Sequence, residues 1–182
     1  MPAPGELGFV QAFVNSSWDL DNDNRERFPS PEALAGWLQE RGLIEPGTRV
    51  GEDDLRRVLA VRAGLRALLF VNNGSEPDRD AIGRLNDLLR VPGPFVRLHP
   101  WERPDFGLRR GGLDPVLALI ATIVAVAQLD GRWARLKACP GEDCGWAFYD
   151  HSRNQGGNWC SMSVCGSRAK ARQYRRRKRR DD

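Results

Sequence analysis

Four cysteines, Cys139, Cys144, Cys160 and Cys165, lie within 27 residues of one another. They form two C-x4-C pairs separated by fifteen residues. Each pair can chelate two vertices of a tetrahedron, and the loop brings the pairs together, which suits zinc binding by four thiolates. Turn-forming residues flank the ligands at Cys139-Pro140-Gly141 and Cys144-Gly145, as a metal-holding knuckle needs. A reducing cytoplasm disfavours disulfides here. Four sulfurs fill the shell of one Zn2+, so the expected metal is structural; a catalytic zinc keeps a vertex open for water. A zinc deaminase would need an H-x-E segment, and neither His99 nor His151 is followed by that glutamate. His151 lies between the pairs and has the chemistry to replace one cysteine. With the shell already complete, it reads as a surface or nearby hydrogen-bonding histidine. Trp146-Ala147-Phe148-Tyr149 reads as a strand, and Trp159 precedes the second pair. These aromatics suit the small core of a metal module better than base stacking.

A basic segment adjoins the last cysteine. From Gly166 to Arg180, nine of fifteen residues are Lys or Arg. Residues 137–182 carry eleven Lys/Arg against five Asp/Glu, whereas residues 1–136 carry seventeen against nineteen. This split points to a polyanionic partner for one end only. If Ser167 caps a helix, Arg168, Arg172, Arg175 and Arg179 fall in one stripe, with Lys170 and Arg176 beside it. Ala171 and Tyr174 would then lie to one side, able to pack on the zinc knuckle. Such a stripe suits DNA phosphates, and guanine edges in the major groove. Charge alone does not separate DNA from RNA. The lack of an apolar face beside the arginines argues against a membrane surface.

The rest of the chain must position this module. With 182 residues, 41% hydrophobic residues and six tryptophans, it can bury a sizeable core. Gly8 to Trp18 reads as a short helix or a strand. Ser30-Pro31-Glu32 starts a helix through Leu38 that Gly42 can end. A second helix is expected from Glu52 to Val71 and a third from Pro77 to Arg90, each with leucines at helical spacing. Phe95–Leu98 and Phe106–Arg109 read as a hairpin with a loop through Trp101. Pro115 to Leu129 is apolar on nearly every side, which predicts a central helix surrounded by the others. Its apolar run, Val116 to Ala127, is shorter than the roughly 20 residues that span a bilayer. Met1 to Gly8 lacks a secretory pattern, so a soluble cytoplasmic protein acting at the nucleoid is expected. The expected fold class is α+β, mostly α: a helical N-terminal domain with a small β hairpin over residues 1–134, and a zinc-ribbon or treble-clef-like four-cysteine module over 135–182 that ends in a basic helix.

The run Cys144-Gly145-Trp146-Ala147-Phe148-Tyr149-Asp150, then Ser152-Arg153-Asn154, Trp159-Cys160-Ser161-Met162 and Cys165-Gly166-Ser167-Arg168-Ala169-Lys170 resembles the CGNR-type zinc finger. That module closes bacterial proteins classed as stress-induced transcription regulators, whose N-terminal region is called the ABATE domain. Phe13-Val14-Asn15 and Val61-Arg62-Ala63-Gly64-Leu65-Arg66 are similar to that region, less specifically. The resemblance implies a zinc-dependent DNA-binding regulator with a sensor domain, and not an enzyme. Two departures stand out. Ser167 replaces the signature asparagine, though both can cap a helix. The loop Asn154-Gln155-Gly156-Gly157-Asn158 lacks the arginines usual in relatives.

Arg62 and Arg66 are four apart on a helix, so they could face an anionic small ligand together with Asn15. Equally, they could be surface arginines paired with Asp53 or Asp54. Trp18, His99 and Trp101 could line a pocket or pack. The two rivals to a DNA-binding regulator are an RNA-binding or ribosome-associated module, and an enzyme for an anionic metabolite with a localising tail. No nucleophile–base pair or phosphate loop supports the latter. A homodimer is compatible with the sequence.

Overall fold

The computed structural model describes residues 2–17, 26–90, 95–97, 105–107 and 112–181. Helix α1 spans Leu7–Asn15 and settles the helix-or-strand ambiguity. Its apolar residues Leu7, Val10, Phe13 and Val14 recur at helical spacing and are all buried. Helix α2 spans Pro31–Gln39, and Ser30 caps it as expected, its Oγ accepting the Ala33 N–H at 3.3 Å. The rings of Phe13, Phe28 and Trp37 pack together where α1 meets α2.

Helix α3 runs over Glu52–Val71, and α4 over Arg79–Leu88. Asp78 caps α4 by accepting the Ala81 N–H, so that helix starts two residues after the expected Pro77. Strands β1 (Phe95–Arg97) and β2 (Asp105–Gly107) form the expected antiparallel hairpin, with Val96 opposite Phe106. Trp18, His99 and Trp101 lie outside the described residues, as does the hairpin loop.

Helix α5, Asp114–Leu129, does not have the central place that its composition predicted. Val116, Leu117, Ile120, Ile123, Val124 and Ala127 are buried, but Leu119, Val126 and Leu129 are exposed. The element packed from most sides is α3, which meets α1, α2, α4 and strand β3 (Leu136–Ala138). Apolar periodicity reports that a face can be buried, and the packing of other elements decides whether it is.

A 3-10 turn, Arg132–Arg135, leads into β3, which pairs antiparallel with β4, Ala147–Tyr149. Leu136, Ala138 and Ala147 belong to the same hydrophobic cluster as α1, α3 and α5. The sheet that carries the cysteines is therefore founded in the core of the helical body. After the second cysteine pair, a π-helical turn, Met162–Gly166, runs directly into α6, Ser167–Asp181. No helix among the described residues is long and apolar enough to cross a membrane.

Candidate zinc centre and basic helix

Strands β3 and β4 set the first cysteine pair. The Cys139 N–H donates to Trp146 O at 2.9 Å, and the Gly145 N–H returns to Cys139 O at 3.2 Å. The Cys144 N–H donates to Gly141 O at 3.0 Å, closing a tight knuckle. A Cβ at Gly141 would lie 3.2 Å from the Cys165 sulfur, so glycine leaves room for the second pair. That pair comes from the start of the terminal helical run. Ser161 caps the run, its Oγ accepting the Val164 N–H at 3.3 Å.

The four sulfurs lie within 4.8 Å of one another. Cys144 Sγ to Cys160 Sγ is 3.6 Å, and Cys160 Sγ to Cys165 Sγ is 3.8 Å. A tetrahedron with zinc–sulfur bonds of about 2.3 Å has edges near 3.8 Å. A disulfide would need sulfurs about 2.0 Å apart. The donor set and spacing fit one structural zinc with a full shell. Around it, Phe148 is buried with Cys139 and Cys165, and Trp146 and Trp159 pack partly buried against them. The aromatics thus form the core of the module. His151 stands outside the cluster: its ring meets Tyr149 edge-on, and Nε2 lies 3.2 Å from Pro2 O.

Sequence inspection missed a buried ion pair on the other face of β3. Lys137 Nζ donates to Asp150 Oδ2 at 2.9 Å, Gln155 O at 2.6 Å and Gly157 O at 2.9 Å. Both side chains are buried. Asp150 also accepts the N–H groups of Ser152 and Gly157. Burial opposes its charge, but the Lys137 bond and these donors prevail and hold the carboxyl well below the ordinary carboxylate range. The pair shapes the loop ahead of Trp159. Alternation along a strand places Lys137 on one face, but no local signal announces its partner.

Helix α6 corrects two expectations. Ser167 is not the cap: it has helical dihedrals, and its Oγ donates back to Met162 O at 3.1 Å. The helical run starts at Met162, so Ser161 does the capping. Ala171 and Tyr174 do not pack on the knuckle but are exposed. The side of α6 turned to the zinc module carries the less exposed Ala169 and Arg172, and Arg172 Nη1 pairs with Glu142 Oε2 of the knuckle at 3.2 Å. Arg168 and Arg172 line a cleft of about 490 Å³ beside the thiolates, with Glu142, Trp146 and Ser161. Arg168, Lys170, Arg175 and Arg176 are exposed, and the Arg179 side chain lies outside the described residues.

The N-terminal trio has internal partners. Asn15 holds both backbone groups of Ala147. Arg62 is buried rather than on the surface, and donates to Glu26 Oε1 at 2.7 Å and Ser16 Oγ at 3.0 Å. Arg66 donates to Val14 O and Ser17 Oγ, and burial, with Arg62 adding to it, lowers its guanidinium to about 10. Asp53 pairs with Arg56 and Asp54 accepts the Gly51 N–H, so neither serves Arg62 or Arg66.

No curated protein matches the chain. Residues 135–178 match the CGNR zinc finger model. Residues 8–132 match the ABATE model, described as "Putative stress-induced transcription regulator". With a helical body matched over that length and a four-cysteine finger following it, the chain belongs to the ABATE family and carries a CGNR zinc finger.

Proposed function

We propose that this protein is a DNA-binding transcription regulator in which zinc positions the basic helix α6. One observation carries this reading. A helix with nine Lys or Arg between Arg168 and Arg180 grows without a break from the turn that holds Cys165. A metal-anchored helix of this charge is matched to a phosphate backbone. Arg168, Lys170, Arg175 and Arg176 form its exposed cationic surface, and Arg179 follows four positions after Arg175 in the sequence. Arg172 is shared with Glu142. The cysteines act as a scaffold and not as a reaction centre, because four thiolates leave no vertex for substrate or water. Asn15, Arg62 and Arg66 have hydrogen-bond partners within the chain, and the DNA-binding reading does not depend on their meeting an anionic ligand.

The deciding experiment is matched competition with the zinc-loaded chain. Duplex DNA at low salt should bind, and should outcompete structured RNA of equal length. Preference for RNA would replace the reading with an RNA-binding one, and absence of any nucleic-acid binding would remove both.

A further inference from the structure

Three described residues of the helical body combine large apolar side chains with exposure, and all sit on α5: Leu119 at 39%, Val126 at 46% and Leu129 at 89%. With Thr122 they are spaced three, four and three residues apart, the repeat of a helix-pairing seam. Thr122 fits that seam, because its hydroxyl already donates to Ala118 O at 2.8 Å and would leave no unpaired donor in a dry contact. From Pro115 to Gln128 the helix bears no charge. Beside the ridge runs an apolar groove of about 440 Å³, walled by Leu7, Leu43, Val116, Ile123 and Ala127.

Ridge and groove lie on one face. A two-fold interface requires this, since each copy must supply both knob and hole from the same patch. Each end of the seam carries an ion pair that a second copy can extend. Asp114, with Arg57, marks the N-terminal end, and Arg132, with Asp130, marks the C-terminal end. Parallel pairing would set Asp114 against its own copy. Antiparallel pairing sets it near the partner's Arg132 and opposes the two helix dipoles favourably. A small metabolite suits the groove less well. Binding pockets carry a few polar groups that orient the ligand. Of the polar residues that line the groove, Thr122 already donates to Ala118 O and Arg132 is paired with Asp130, which leaves Glu6; Leu129, the most exposed residue of the ridge, lies outside the groove and would gain no cover from a ligand there.

We propose that α5 is a dimerisation helix: a second copy of this chain packs its α5 antiparallel on this one, Leu119 against the partner's Leu129 and Thr122 against the partner's Val126. The contact is independent of DNA binding and of the zinc site.

Sedimentation equilibrium of the zinc-loaded full chain tests it. The mass should rise with concentration from 20.4 kDa towards twice that value. Val126→Glu/Leu129→Glu should weaken association by at least about tenfold, with zinc content and melting temperature of the monomer unchanged. If that double variant melts early, Leu129→Glu alone decides, because Leu129 is almost fully exposed. The orientation is read by mixing Thr122→Cys with Val126→Cys chains and mapping disulfides. The mixed pair should form in preference to either self-pair. A chain that stays monomeric at all concentrations overturns the proposal, as does a dimer that survives the glutamates. Self-linking of Thr122→Cys alone overturns the antiparallel register. Recovery of a small apolar molecule from the groove of a monomeric protein would assign that surface to a ligand instead.

Discussion

Asn15 of α1 grips the backbone of Ala147, which is 132 residues away in β4: its Nδ2 donates to Ala147 O at 2.9 Å, and its Oδ1 accepts the Ala147 N–H at 2.7 Å. The side-chain amide serves the strand as a neighbouring strand would. Gln11 Nε2 adds a bond to Ala147 O at 3.1 Å. At the other side, Asn72 Nδ2 donates to Trp133 O and Leu136 O, and Asn73 Nδ2 to Ala138 O and Asn158 O. Four side-chain amides therefore fasten the zinc module to the helical body.

Asn15→Ala should leave the buried Ala147 N–H without an acceptor and cost about 1–3 kcal/mol. Urea unfolding checks the magnitude. Hydrogen exchange should show Ala147 losing protection while α3 keeps its own. Asn15→Asp should cost at least as much, since a carboxylate keeps the acceptor but faces Ala147 O with no donor. Unchanged exchange at Ala147 would mean the clamp does not hold the module.

Zinc removal should reach beyond the finger. Elemental analysis should find one zinc per chain, and X-ray absorption should find four sulfurs and no nitrogen or oxygen in its shell. Cys160→Ser should unfold the knuckle and α6, because metal binding supplies much of the folding free energy of a module this small. Because Leu136, Ala138 and Ala147 belong to the body's core, the helical body should persist but melt at a lower temperature. An unaltered melt would show the two parts to be energetically separate.

The Lys137–Asp150 pair predicts acid sensitivity of the loop that precedes Trp159. The Asp150 carboxyl is held below its ordinary value of 3.8 in the folded chain. Its contribution to stability is therefore fully present above that value and is lost as pH falls towards the folded one. Asp150→Asn should leave Lys137 buried without a counter-charge, cost about 3–5 kcal/mol, and flatten the acid limb of stability against pH. Gly157→Ala should act in the same direction, because a Cβ there would lie 2.8 Å from Asp150 Oδ1.

DNA affinity should fall steeply with salt. With roughly four to six phosphate contacts, log affinity should decline against log salt with a slope of about −4 to −5. Deleting residues 175–182 should weaken binding to every sequence and flatten the slope. Arg168, on the turn nearest the cysteines, is the candidate base reader. Arg168→Ala should cost about 1–3 kcal/mol and relax sequence preference. Glu142→Gln should release Arg172 from its ion pair, raising affinity and steepening the slope by about one contact. If Glu142→Gln changes neither, Arg172 takes no part in binding.

The parts legible in the sequence were those whose partners are local or carried by the residues themselves. Four thiolates at chelating spacing specify their metal without reference to the rest of the chain. Ser30-Pro31 and the leucines of α3 report on neighbours one helical turn away, and those helices formed where expected. The basic run is visible as charge alone.

Only the tertiary structure decided what the polar residues do. Asn15, Arg62 and Arg66 share a chemistry that suits an anion, a carboxylate or a backbone amide equally. Which of these each one meets depends on segments brought together from far along the chain, such as Glu26 for Arg62 and Ala147 for Asn15. The same holds for Ser167, displaced from its expected capping role because the helical run begins at Met162, a turn and a half earlier. It holds again for α5, whose uniform apolarity says nothing of which side the body covers. A hydrogen bond or a buried face is a relation between two surfaces, and one stretch of sequence contains only one of them.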